Sequence, residues 1–209
     1  MDFPSGQPAD LVDLIRAYPL AWLVTCGEAG FEATPLPLVP ETNSAGALVA
    51  LIGHCSRGNA QTAALRDDPR AFALFMGPQG YISPELVSQP RWVPTWDFAV
   101  AILALEVELD EVGTGEAVRR LINAAEAGRP RPWRMEDGGE RIKQLMRRII
   151  GFRARVIDSD VRLKLGQEES LPTVTEIIAG IEDGALRHWM RRLNADRLDA
   201  ADADEIAGK

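Results

Sequence analysis

Phe98-Ala99-Val100-Ala101-Ile102-Leu103-Ala104-Leu105-Glu106-Val107-Glu108-Leu109-Asp110 begins as an unbroken apolar run and ends in strict alternation. In an extended chain Leu105, Val107 and Leu109 face one side while Glu106, Glu108 and Asp110 face the other, which is the period of a strand with one wet face. Shorter strand-like runs come before it, over residues 21–25, 31–39, 47–54 and 71–75. The turn-rich pieces Gly27-Glu28-Ala29-Gly30 and 41–46 lie between the first three and predict antiparallel hairpins. Together these segments predict a barrel-like β core.

Helical spacing frames that core. Leu11, Leu14, Ile15 and Tyr18 predict a helix over 9–17 that stops before Pro19. Residues 58–65 read as a short helix. Val118, Leu121, Ile122 and Ala125 define another, with Thr114 as its cap. Beyond the connector Gly128-Arg129-Pro130-Arg131-Pro132-Trp133, the residues Ile142, Leu145, Met146, Ile149 and Ile150 share one helical face, which Gly151 should end. Residues 152–157 and 161–165 are then expected to form a hairpin. Thr173-Val174-Thr175-Glu176 has capping-box spacing ahead of Val174, Ile177, Ile178 and Ile181, and a last helix carries Leu186, Trp189, Met190 and Leu193. The expectation is one domain over 1–195, followed by an acidic, frayed tail over 196–209.

Composition narrows the function classes. The chain has 209 residues, 46% hydrophobic and 26% charged, which is ordinary for a soluble domain with a proper core. No apolar run approaches the roughly 18 residues of a membrane span, and Met1-Asp2-Phe3-Pro4-Ser5 lacks the start of a secretory signal, so a cytoplasmic location and no membrane partner are expected. Cys26 and Cys55 make no metal spacing and are expected to be free, buried thiols. There is no Walker loop and no serine nucleophile motif, and His54 and His188 are the only histidines.

A net charge of −8 works against nucleic acid, whose phosphates must be met by concentrated positive charge. Arg141, Lys143, Arg147 and Arg148 on one helix and Arg187, His188, Arg191 and Arg192 on another are the available DNA-contact surfaces. Solvated helix faces explain them more simply, and no helix-turn-helix signature accompanies them, so direct DNA binding is not the expectation.

Four short segments look like parts of one binding site. They are Gly53-His54-Cys55-Ser56-Arg57-Gly58-Asn59-Ala60-Gln61, Phe75-Met76-Gly77-Pro78-Gln79-Gly80-Tyr81-Ile82-Ser83-Pro84, Val93-Pro94-Thr95-Trp96-Asp97-Phe98 and Leu163-Lys164-Leu165-Gly166-Gln167. Each sets polar or aromatic side chains where a strand gives way to a turn, the usual position of binding residues on a scaffold. From about Leu14 to about Glu182 the series resembles the PaiB family, described as FMN-binding negative transcriptional regulators.

The resemblance implies an α+β fold with an antiparallel split β-barrel surrounded by helices, a homodimer with sites at the subunit interface, and FMN as cofactor. FMN needs a phosphate partner, donors for its ribityl chain and apolar flanks for its ring. Arg57 suits the phosphate, aided by Ser56 and by free N–H groups of the helix starting near Gly58, with His54, Asn59 and Gln61 close in sequence. The resemblance places Tyr81, Ser83, Thr95 and Trp96 near the ring and the dimer interface, while Lys164 and Gln167 are expected in the same cleft, Lys164 at the phosphate or a reduced, anionic flavin.

The sequence also departs from the family pattern. Glu85-Leu86-Val87 stands where Ser-Trp-Tyr is usual, Asp97 where Asn is, Ile102 where His is, and Glu168 where Asn is. Asp97 and Glu168 add negative charge beside an anionic ligand; a like charge at ~4 Å costs on the order of 4 kcal/mol at a dielectric of ~20. Three functions follow: a flavin-binding negative regulator of the PaiB type, an FMN-dependent oxidoreductase of the flavin-reductase or pyridoxamine-phosphate-oxidase kind, and a relative whose altered site takes another small ligand.

Overall fold

The alternating stretch is a strand, as expected, and the computed structural model, which describes residues 6–27 and 30–200, sets it in a sheet of seven. The strands are β1 (Leu20–Gly27), β2 (Gly30–Pro37), β3 (Val39–Thr42), β4 (Leu48–Ser56), β5 (Arg70–Ile82), β6 (Thr95–Asp110) and β7 (Ile149–Lys164). Their order is β2-β1-β5-β6-β7-β4-β3 in one sheet that ends at β2 and β3 without closing. The helices are α1 (Pro8–Ala17), α2 (Ala60–Asp67), α3 (Thr114–Glu126), α4 (Gly139–Met146), α5 (Leu171–Gly180) and α6 (Gly184–Leu193). An antiparallel α+β architecture with an open sheet is therefore what the chain adopts.

The described residues separate into two compact units. The larger comprises Gln7–Phe75 and Ala101–Asp160; the smaller is built mainly from Met76–Val100 and the chain from Val161 onward. In the larger unit β1 and β2 form a hairpin from Leu20↔Pro37 to Gly27↔Gly30; of its expected turn, residues 28 and 29 lie outside the described part. The β3–β4 hairpin turns at Asn43, whose side-chain oxygen accepts from Ala45 N and Ala47 N, both at 3.0 Å. α1 buries Leu11, Leu14 and Ile15, and α3 packs Ala117 and Leu121 against Val39 of β3 and Ile52 of β4.

Besides the cap of α3, which is Gly113 and not Thr114, and the break at Leu38 in the strand expected over 31–39, three local expectations change. Ile149 and Ile150 were expected on the apolar face of a helix ended by Gly151; instead α4 stops at Met146 and both residues open β7, opposite Ser56 and Cys55 of β4. Their β-branched side chains suit either state, and pairing with β4 decides. Gly151 is needed for closeness rather than for a cap, since a Cβ there would lie 2.8 Å from Thr114 Cα. Nor is there a turn between 157 and 161: β7 runs unbroken for 16 residues. The third concerns the capping box at Thr173, because α5 starts earlier, with Ser170 as its cap accepting from Thr173 N, while Glu176 turns outward to bind Ser88 N at 2.7 Å and Ser88 Oγ at 2.6 Å.

The smaller unit has its own core of Ile82, Ala99, Leu163, Leu165, Val174, Ile177, Ile178, Leu186, Trp189 and Met190. Gly166 turns the chain out of β7 at φ +82°, with Val174 Cγ2 only 2.9 Å from where a Cβ would stand. Residues 196–200, the beginning of the segment expected to be a frayed tail, are helical. Arg197 fastens them to the turn after β7, donating to Gln167 O at 3.1 Å and Glu169 O at 2.6 Å.

Candidate functional site

In the larger unit, β4 delivers His54 and Ser56 to the loop that starts α2. Arg57 N donates to Arg148 O at 2.9 Å, which ties this loop to the start of β7. The amides at the start of α2, expected to be free for a phosphate, are largely used within the loop. Gly58 N donates to Ser56 Oγ at 3.3 Å, Asn59 N to Ser56 O at 3.1 Å and Gln61 N to Asn59 Oδ1 at 3.0 Å. Asn59 is thus the N-cap, and its amide also donates to Thr34 Oγ1 at 2.9 Å.

Arg57 remains one-third exposed, and its guanidinium lies 2.6 Å from Glu111 Oε2. Glu111, 54 residues away in sequence, has no motif around it that would have announced this role. Gln61 is 1% exposed; its Nε2 donates to Leu23 O at 2.9 Å and Glu32 O at 3.2 Å, so it binds α2 to the β1–β2 hairpin. His54 is half-buried, and burial alone holds its pKa below the usual histidine value. Cys55 is buried with Sγ 3.1 Å from Thr62 Oγ1 and its pKa raised by burial, whereas Cys26, expected inside, is exposed because it stands near the end of β1 on the outward face.

The smaller unit gathers a second group. Tyr81 of β5 and Trp96 of β6 lie with ring centroids 6.1 Å apart and tilted by 56°, and both are more than half exposed. Trp96 Nε1 donates to Gln79 Oε1 at 2.7 Å, which fixes the indole. Lys164, at the end of β7, reaches back and donates to Thr95 Oγ1 at 2.5 Å, Trp96 O at 3.1 Å and Asp97 Oδ1 at 3.1 Å, with Glu168 Oε1 at 3.4 Å.

Asp97 is 2% exposed, and burial pushes its carboxyl up to about 6, against the opposing pull of Lys164. Ser83 and Gln167 are occupied locally. Ser83 caps the short 3-10 turn Pro84–Leu86, while Gln167 accepts from Leu165 N at 2.7 Å and donates to Leu163 O at 2.9 Å. Tyr81, Thr95, Trp96 and Lys164 are therefore brought together, while Arg57, Asn59 and Gln61 belong to the other unit.

The family described as "Putative FMN-binding domain" matches residues 1–158. The chain belongs to this family. No curated protein matches it significantly. Among solved structures, the FAD and heme binding protein of Mycobacterium smegmatis is similar at 16% identity and TM-score 0.57, over 87% of this chain and 81% of that one. The flavocytochrome Anf3 of Azotobacter vinelandii is similar at 15% identity and TM-score 0.55, over 78% and 69%. The conserved hypothetical protein Rv2991 of Mycobacterium tuberculosis follows at 15% and 0.53, over 78% and 88%. At these identities the likeness is one of fold, and it agrees with the open antiparallel sheet of a split barrel.

An FMN-binding domain needs aromatic surface, cations and polar atoms that a ligand can complete. The smaller unit carries the half-exposed faces of Trp96 and Tyr81 and the ammonium of Lys164, and the larger unit carries the guanidinium of Arg57. His54 Nδ1 and Gln61 Oε1 are buried without a hydrogen-bond partner. The two cations differ in availability. Arg57 pairs with a carboxylate that is itself 55% exposed, an interaction of about 0–1 kcal/mol that a phosphate can replace. Lys164, at 14% exposure, is enclosed by acceptors.

Two cavities of the larger unit lie apart from all of these residues. One of about 780 Å³ is lined by Ile15, Leu38 and Leu121 among others, and one of about 490 Å³ lies beside Trp133. Among the described residues no three His, Cys, Asp or Glu side chains are grouped to hold a metal, and no helix is long and apolar enough to cross a membrane.

Proposed function

We propose that this protein binds FMN and uses it as a redox-active cofactor, with Trp96, Tyr81 and Thr95 as the ring-binding surface of the smaller unit and Arg57 and Ser56 as the anion-binding group of the larger. The observation that carries this is the exposed Trp96–Tyr81 pair with a fixed ammonium, Lys164, on the backbone beside it. Bound flavin would supply reversible hydride or electron transfer. The chain's own residues would hold the ring and set the charge around it. Within the larger unit His54, Asn59 and Gln61 would support Arg57 by shaping its loop, and within the smaller unit Ser83 and Gln167 would support Trp96 and Lys164 by holding their turns.

A homodimer belongs to the same proposal. In the larger unit β1 and β5 present Leu20, Trp22, Phe72 and Leu74 outward, each at least 37% exposed, with Trp22 directly opposite Leu74. A continuous apolar sheet face of this kind is what a second copy would cover. The decisive experiment is an absorbance spectrum from about 300 to 600 nm followed by FMN titration. Micromolar binding that weakens in Arg57→Ala and Trp96→Ala supports the proposal, and no binding up to millimolar FMN overturns it. Oxidation of NADH or NADPH with FMN present would then place the protein among FMN-dependent oxidoreductases.

A negative regulator of the PaiB type is the second reading, favoured by one observation. α4 contributes no buried residue, and Arg141, Lys143, Arg147 and Arg148 on and after it are all exposed. The other basic helix offers less, since Arg187 donates to Ile181 O and Arg192 stacks 5.1 Å over the Trp189 ring. A salt-sensitive mobility shift with genomic DNA fragments would support direct repression, and its absence would leave regulation to a partner protein.

A further inference from the structure

Lys164 has three N–H donors, and three oxygens already accept from them: Thr95 Oγ1, Trp96 O and Asp97 Oδ1. Asp97 is nearly inaccessible, so this pair is not a solvated surface contact but a fixed part of the smaller unit's interior. The other charges around it come from the turn after β7. Glu168 lies 3.4 Å from Lys164 Nζ, and Glu169 accepts from Trp92 Nε1 at 3.1 Å, while Arg197 binds that turn through its carbonyls. With Asp97 ionised, the single ammonium is outnumbered by carboxylates.

We propose that Asp97 is a positioning residue and a charge gate for Lys164: protonated, it removes one of the carboxylate charges that oppose the ammonium and so favours an anionic, planar ligand beside Trp96, and ionised, it restores that opposition. The proposal rests on the flavin reading for the identity of the anion. It also assigns Asp97 a specificity role, because the gate acts on ligand charge and leaves the aromatic surface unchanged. Burial favours the neutral carboxyl, so the gate turns over at about 6, within reach of physiological acidification.

The test compares FMN dissociation constants of the wild type and Asp97→Asn at pH 5 and pH 8, read by flavin fluorescence. The variant corrects for the ligand's own ionisation, because its gate is permanently open. The ratio of wild-type to variant Kd should be on the order of tenfold at pH 8 and fall close to one at pH 5. Lys164→Met should remove the difference. A ratio equal at both pH values overturns the gate.

Thermal unfolding without flavin separates this from the flavin reading itself. An acid whose folded pKa is raised releases its proton earlier when unfolded, so the wild type loses stability from about pH 4 to about 6 and the variant does not. If neither protein binds FMN but the melting difference grows over that range, the flavin reading fails and the gate stands for another anion. If the melting difference is also constant, both fail.

Discussion

Arg57 and Glu111 form an ion pair, Nη1 to Oε2 2.6 Å, that joins the loop after β4 to the residue following β6. Because both side chains are partly solvated, the pair contributes about 0.2–1 kcal/mol. Glu111→Gln should therefore leave stability almost unchanged while releasing the guanidinium. FMN affinity should rise by up to about fivefold in that variant, by titration at low salt.

Gln61 behaves differently. Its amide donates to two strand carbonyls from a site with 1% exposure. Gln61→Leu would strand Leu23 O and Glu32 O, at a cost of about 1–3 kcal/mol in urea unfolding. If the residue acted only on ligand, its loss would lower FMN affinity and leave the unfolding midpoint in place.

The half-buried His54 makes stability fall on acidification. Its folded pKa lies below the ordinary value of 6.5, so the unfolded chain takes up a proton first and stability is lost as pH drops below that value. His54→Gln should flatten denaturant midpoints between pH 7.5 and 5. This slope has the opposite sign to that of Asp97, so the variants must be measured singly.

Cys26 is exposed and Cys55 is buried with its thiol pKa raised. A thiol-specific disulfide reagent should titrate one group per native chain rapidly and the second only in denaturant. Rapid reaction of both would mean that β4 opens readily at the start of α2.

Much of the fold is legible because alternation and helical spacing are local properties. Leu105, Val107 and Leu109 announce a strand, and Leu11, Leu14 and Ile15 a helix, whatever the rest of the chain does. Ile149 and Ile150 fit a helix face equally well, and only the partner strand, with Ser56 and Cys55 opposite them, made them β. The break at Leu38, which divides the expected strand 31–39 into β2 and β3, likewise follows a distant bond, Leu38 N to Pro19 O at 2.8 Å.

The candidate site divides in the same way. The sequence by itself determined the chemical inventory: Arg57 and Lys164 as cations, Trp96 and Tyr81 as flat apolar surfaces, and Asp97 and Glu168 as opposing charge. Which of these are available was decided by the tertiary structure alone. Arg57 meets Glu111 at the surface, Gln61 is drawn inward, and Lys164 is enclosed by Thr95, Trp96 and Asp97. The reason is physical: residue type fixes charge and donors, but desolvation and partner distance, which set what those groups can bind, exist only once distant segments have packed together.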